Sequence, residues 1–215
     1  LLHPLSLTNP LQAGKRLIWY NVHLNNPDAA GESAALLAEK ADILALAEID
    51  LDNPGWQRLR THYPHGCQHQ EASPFALALW SAVPLASCDI AYSSNFPYIR
   101  ATTTDGTALY ALHPPPPISS TLAAACIAYL HDTAARIAAE PRALAVGDLN
   151  SSPYSPHYRD FLYTSGTTAT TRYLTPTWRP LFLNLDHALV KNLTADTTPL
   201  PWQHSDHRPL RVDYR

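Results

Sequence analysis

The stretch Arg142-Ala143-Leu144-Ala145-Val146-Gly147-Asp148-Leu149-Asn150 is an apolar run that ends on an acid and an amide. Five consecutive small or branched apolar residues read as a strand buried on both faces. Asp148 and Asn150 stand at i and i+2, so both side chains can point to one side as the strand ends. Gly147, lacking a Cβ, permits close approach of another backbone or of a ligand. The same pattern, apolar strand then polar terminus, recurs along the chain. Asp42-Ile43-Leu44-Ala45-Leu46-Ala47 runs into Glu48, and Thr107–Leu112 runs into His113 ahead of Pro114–Pro117. Leu185 leads into Asp186-His187 inside Leu183–Val190, and Ser205-Asp206-His207 precedes the last apolar run, Pro209–Tyr214.

The other elements follow from periodicity. Lys15–Val22, Ala76–Ser81, Ser87–Tyr92 and Tyr98–Thr103 read as further strands, and Asp105-Gly106 as a hairpin turn. Asp28–Ala41 has the spacing of an amphipathic helix. Ser119–Glu140 reads as a long Ala-rich helix, N-capped by Ser119 or Ser120 and closed by Pro141. His131, Asp132 and Arg136 interrupt that helix and make it a packing helix rather than a membrane span. Strands outnumber helices and several are hairpin-joined. The expected class is therefore α+β, a layered domain with mostly antiparallel sheet.

Composition narrows the function. The chain has 215 residues, 46% of them hydrophobic, enough for one sizeable core. A net charge of −3 and only three lysines (Lys15, Lys40, Lys191) exclude an even basic coating for gripping duplex nucleic acid. A local patch from Arg58, Arg60, Arg100, Arg172, Arg179 and Arg208 stays open. Cys67, Cys88 and Cys126 show no CxxC spacing and are expected to be three partly buried thiols, with neither a disulfide framework nor a zinc ribbon. No Met occurs and the first residue is Leu1. These two features suggest a domain cut from a longer chain, with residues 1–14 as a linker, or modified methionines left out of the written sequence. No motif points to an obligate protein partner, and a monomer is expected.

Taken singly, each polar strand terminus is an ordinary solvated loop residue. Together, Glu48, Asp148, Asn150, Asp186, Asp206 and His207 form a set of hard oxygen ligands plus a base, which suits Mg²⁺ or Mn²⁺ and proton transfer near neutral pH.

A Glu after an apolar strand, GD-x-N, D-H before a strand and a terminal S-D-H occur here in one order. In this the chain, from Asn21 to about Leu210, resembles the endonuclease/exonuclease/phosphatase superfamily of deoxyribonucleases, apurinic endonucleases, sphingomyelinases and inositol-polyphosphate phosphatases. HPPPP resembles a bacterial branch of it, many of whose members carry hydrophobic N-terminal segments, which implies a membrane-anchored parent protein. The resemblance implies a four-layer α/β/β/α sandwich of two mostly antiparallel or mixed sheets, and a metal-dependent phosphoester hydrolase. It further implies Glu48 as principal metal ligand, with Asp206 and Asn21 on the metal side. Asp148 would orient or activate water, Asn150 would hold a phosphate oxygen, and Asp186 would fix the tautomer of the catalytic His207. His113 takes the place of a second catalytic His, and Trp178 borders the substrate. Two departures stand out. His23 occupies a position where apurinic enzymes carry Asp, and Ala82 occupies the place of an Arg that often contacts phosphate; Arg58, Arg60 or Arg100 are candidates to replace it.

Two rivals remain from the residues alone. His62-x2-His65-x-Cys67-x-His69 offers borderline-soft ligands for a zinc hydrolase, against the plain alternative of a polar loop. A non-catalytic binding module on the same fold is the other. Trp178 and Trp202 could stack on a substrate or simply pack at the surface, while Trp19 and Trp80 belong to the core.

Overall fold

In the computed structural model, residues 14–171 and 175–215 are described; most of the expected linker and Arg172 fall outside them. The first sheet contains β1 (Lys15–Asn21), β2 (Ile43–Ala47), β3 (His65–His69), β4 (Leu77–Ser81), β11 (Ala195–Pro199) and β12 (Leu210–Tyr214), in the order β11-β12-β1-β2-β4-β3. The second contains β5 (Leu85–Ser93), β6 (Phe96–Thr103), β7 (Ala108–Leu112), β8 (Ala143–Asp148), β9 (Thr168–Ala169) and β10 (Asp186–Lys191), in the order β5-β6-β7-β8-β10-β9. Each sheet has one parallel pair, β1/β2 and β7/β8, and is otherwise antiparallel.

The two parallel pairs need crossovers, and helices supply them. α1 (Ala29–Ala38) joins β1 to β2, and α3 (Ser120–Ala138) joins β7 to β8. Asp28 and Ser119 cap these helices by accepting from the N–H groups of Gly31 and Leu122. α2 (Pro54–Gln57) lies beside α1, and α4 (Pro156–Ser165) packs beside α3. The layers are helix, sheet, sheet, helix, so the expected sandwich is what forms. Leu17, Trp19, Ile43 and Leu79 from one sheet meet Ile99, Leu109, Leu144 and Val146 from the other. Separate apolar clusters lie under α1 and under α3 and α4. Strands buried on both faces explain why β2, β4, β7 and β8 read as continuous apolar runs. No described helix is long and apolar enough to cross a membrane.

Several expectations need correction. Cys67 and Cys88 form a disulfide, and only Cys126 is a free, buried thiol. The bond joins β3 to β5, edge strands of different sheets, a meeting that spacing along the chain does not reveal. It also removes Cys67 as a zinc ligand. The stretch around it is not a loop, because His65–His69 is a strand paired with β4. His69 is occupied by Glu71 and the Tyr92 hydroxyl, at 3.1 and 3.2 Å. Of the arginines proposed for phosphate, Arg100 pairs with Glu140, and Arg60 donates to the carbonyls of Tyr63, Pro64 and His65 while covering Trp80. Both are structural.

The site lies where strand ends from both sheets converge. Within the second sheet β7 and β8 also lie close, since a Cβ on Gly147 would sit 2.3 Å from the carbonyl oxygen of Leu112. That close approach of β7 to β8 brings His113, one residue on from Leu112, beside Asp148.

Candidate active site

Three residues just beyond strand ends, His23, Glu48 and Asn150, adopt left-handed backbone angles with φ of 66°, 54° and 47°. Such angles are costly for residues with a Cβ and cluster where function requires a sharp re-aiming of the chain.

Asp148 and Asp186 are cross-strand partners on β8 and β10, and both are buried. His207 lies between them. Its Nδ1 is 2.7 Å from Asp186 Oδ2, and its Nε2 is 3.4 Å from Asp148 Oδ2. The other oxygen of Asp186 accepts from Trp19 Nε1 at 2.8 Å, and the backbone N–H of Asp186 donates to Thr177 Oγ1. The ring is therefore fixed in direction from behind. Burial alone would depress the His207 pKa. The charges of Asp186, Asp148 and Asp206 outweigh burial and lift it to about 10, so the ring is an imidazolium at neutral pH. Burial raises the pKa of Asp148, with His207 opposing that shift.

Asn21 ties the two sheets together. Its Nδ2 donates to Glu48 Oε1 at 2.9 Å and to Asp148 Oδ2 at 3.2 Å, while its Oδ1 accepts from the N–H of His23. His113 Nε2 is 3.7 Å from both Glu48 Oε1 and Asp148 Oδ2. The ring of Phe75 packs 5.8 Å from that of His113 and forms part of the wall. Asp206 accepts from Trp178 Nε1 at 3.0 Å and lies 3.8 Å from His23 Nδ1, which is equally far from Glu48. Asn150 donates through its side chain to Pro114 O, and its N–H is held by Asp148 Oδ1. The stiff proline run after His113 is thus anchored to the strand end that carries Asp148.

All eight residues singled out on the strand ends, Asn21, Glu48, His113, Asp148, Asn150, Asp186, Asp206 and His207, meet in this region, with Trp178 at its border. Among the described residues, two groups have the spacing to hold a metal ion: Glu48, His113 and Asp148, and Asp148, Asp186 and His207. Ser205, quoted within the terminal S-D-H, and His23, noted as a departure, also shape the site, as do Trp19 and Thr177, which the sequence reading does not single out for it. Trp19 lies two residues before Asn21 on the same strand face, a signal that was available. Ser205 accepts from His207 N–H and donates to Asn21 O, tying the terminal motif to β1. No pattern announces such a link.

The fold is a four-layer sandwich that carries a buried cluster of acids and histidines with the spacing to hold a metal ion. A family model described as Endonuclease/Exonuclease/phosphatase family matches residues 18–207. The chain belongs to that family. A search of curated protein sequences finds no match. Among solved structures, the endonuclease/exonuclease/phosphatase from Beutenbergia cavernae aligns with a TM-score of 0.75 at 17% identity, covering 95% of this chain and 72% of that one. A 3′ phosphatase, NExo from Neisseria bound to a product DNA hairpin, gives 0.70 at 17% identity, over 94% of this chain and 99% of that one. A mutant beta toxin from Staphylococcus aureus with bound magnesium ions gives 0.67 at 14% identity, over 93% and 99%. These likenesses are of fold.

Proposed function

We propose that the protein is a Mg²⁺- or Mn²⁺-dependent phosphodiesterase of nuclease type, which cleaves by in-line attack of water on phosphorus. The observation that carries this reading is the relay Trp19–Asp186–His207–Asp148, which ends in the same small space as Glu48, His113 and Asn21.

The donor set fits a hard divalent cation. Glu48 and Asp206 offer carboxylate oxygens on the open side, and His113 and Asp148 close the group behind Glu48. A magnesium-bound relative of the same fold supports that choice. The cation supplies charge neutralisation on the phosphoryl and leaving oxygens. The rest of the chemistry belongs to the chain. Asp148, held by Asn21 and by the N–H of Asn150, orients the attacking water and takes up its proton. His207, kept as an imidazolium by Asp186, places positive charge where the five-coordinate phosphorus gathers negative charge. His113 donates toward the leaving oxygen, and Asn150 and Trp178 flank the substrate. Positioning and electrostatics of this kind dominate phosphoryl transfer.

The test is hydrolysis of bis-p-nitrophenyl phosphate with Mg²⁺, Mn²⁺ or EDTA. It is followed by plasmid DNA, single strands, abasic duplex, phospholipids and inositol phosphates, each with wild type and His207→Ala. Metal-dependent cleavage of the diester and of DNA that is lost in the variant is expected. Cleavage confined to phospholipid or inositol phosphate would overturn the nuclease assignment. Inactivity on every substrate, with no metal bound, would favour a binding module.

A further inference from the structure

Glu32 is the buried carboxylate that the site as described does not use. It lies in the first turn of α1, on the outer side of the first sheet, and only 1% of it is exposed. A buried acid needs partners, and each oxygen has one. Oε2 accepts from the Tyr20 hydroxyl at 2.6 Å. Oε1 accepts from the backbone N–H of His204 at 2.8 Å and lies 3.2 Å from His204 Nδ1.

These partners belong to two backbone segments that carry active-site residues. Tyr20 immediately precedes Asn21. Alternation along β1 sends Tyr20 outward to Glu32 and Asn21 inward to Glu48 and Asp148. His204 immediately precedes Ser205-Asp206-His207. Ser205 then binds the carbonyl of Asn21 and the N–H of His207. One carboxylate therefore clamps, from behind the sheet, the strand end bearing Asn21 and the loop bearing Asp206 and His207.

We propose that Glu32 is a positioning residue for the catalytic metal site, fixing the 204–207 loop against β1 so that Asp206 and His207 face Glu48 and Asp148. The proposal rests on the hydrolase reading for its consequence in turnover. Its geometric content stands apart from that reading.

The contrast that isolates this role is Ser33→Ala. Ser33 is the next residue of α1, fully buried, and donates to Gly55 O of α2. Losing that bond weakens the same helix without touching the loop. Wild type, Glu32→Ala, Glu32→Gln, Tyr20→Phe and Ser33→Ala are compared in three measurements. These are thermal stability, Mn²⁺ affinity by calorimetry, and the low-field proton resonance of the His207 Nδ1–H bonded to Asp186. Residues that orient metal ligands typically change affinity by about 10–100-fold. Glu32→Ala is expected to weaken Mn²⁺ binding at least about tenfold and to shift or broaden the His207 resonance. Glu32→Gln and Tyr20→Phe, which each keep part of the clamp, should fall between it and wild type. Ser33→Ala should lose stability and leave both site readouts unchanged. If Glu32→Ala matches Ser33→Ala in both, Glu32 is a helix anchor and the proposal fails. Should Glu32→Ala not fold, Glu32→Gln and Tyr20→Phe decide: wild-type affinity and resonance in both overturn it. Because both site readouts need no substrate, an inactive wild type that still shows these shifts would sink the hydrolase reading and leave the clamp standing.

Discussion

Asp148 and Asp186 stand opposite each other on adjacent antiparallel strands, two buried carboxylates held in register, with His207 reaching both. Like charges placed this way repel, and burial makes the repulsion stronger. The imidazolium between them offsets it, so the three side chains form one electrostatic unit. The roles separate on mutation. Asp186→Asn removes one charge, keeps the shape and lowers the His207 pKa from about 10 toward its ordinary value. Turnover is expected to fall at least about a hundredfold while the fold is kept. His207→Ala should lose as much activity and also destabilise by about 3 kcal/mol or more, because two buried carboxylates lose their counter-charge. Urea unfolding alongside steady-state kinetics checks both. Equal stability of the two variants would mean that His207 offsets nothing.

Trp178 gives a sharper test of how a border residue acts. Its indole N–H holds Asp206 Oδ2, so the ring has two uses, an edge for the carboxylate and a face for substrate. Trp178→Phe keeps a face and deletes the N–H. If the edge matters, Mn²⁺ affinity drops about tenfold and KM for substrate at saturating metal stays near wild type. If the face alone matters, both stay unchanged in Trp178→Phe, and only Trp178→Ala raises KM. Calorimetry and kinetics at several metal concentrations separate the outcomes.

The Cys67–Cys88 bond closes a 21-residue separation and joins the edge strands of both sheets. Loop entropy for a cross-link of that size is worth about 3 kcal/mol. In a domain of this size that corresponds to roughly 6–12 °C in Tm. Dithiothreitol, or the double substitution of Cys67 and Cys88 by Ser, should lower Tm by that order and leave the reagent nothing further to do in the double variant. An oxidised wild type that melts at the same temperature as the double variant would contradict a stabilising role for the bond.

How much of this was legible follows the range of each signal. β2, β7 and β8 were plain because burial on both faces makes them uninterrupted apolar runs, and each ends on the polar residue that the site uses. Glu48, His113 and Asp148 could be named for that reason. β3 and β11 were not, because HGCQH and ADTTP are edge strands with exposed faces and look like loops. α4 was missed although Ser155-Pro156 opens it and Tyr158, Phe161 and Ser165 line its buried face, a pattern that the surrounding polar residues dilute. The partnerships of Trp19 with Asp186, Glu32 with His204, and Cys67 with Cys88 join distant segments. No local periodicity encodes them, and they appear only when the sheets stack.

His187 supplies a pH prediction that is independent of catalysis. It follows Asp186 on β10, is fully buried, and donates through Nε2 to Ser151 O at 2.7 Å. Its Nδ1 is buried with no hydrogen-bond partner among the described residues, so a second proton would place an unsatisfied N–H in the core. Burial accordingly pushes its pKa down to about 4, against 6.5 for an ordinary imidazole. The sign follows from linkage. Between those values the unfolded chain binds a proton that the folded one refuses, so stability falls as pH drops through the window. His187 contributes fully above pH 6.5. By about pH 4 that contribution, about 3 kcal/mol, is gone. Carboxylates with depressed pKa, such as Glu140 beside Arg100, add their own losses at lower pH, below the ordinary carboxylate range. Urea midpoints of wild type and His187→Gln measured from pH 7.5 to 4 isolate the His187 contribution. The variant starts less stable, yet its slope between pH 6.5 and 4 should be shallower, so the two curves converge in acid. Parallel curves across that window would show that His187 titrates alike in the folded and unfolded chain, contrary to the burial argument.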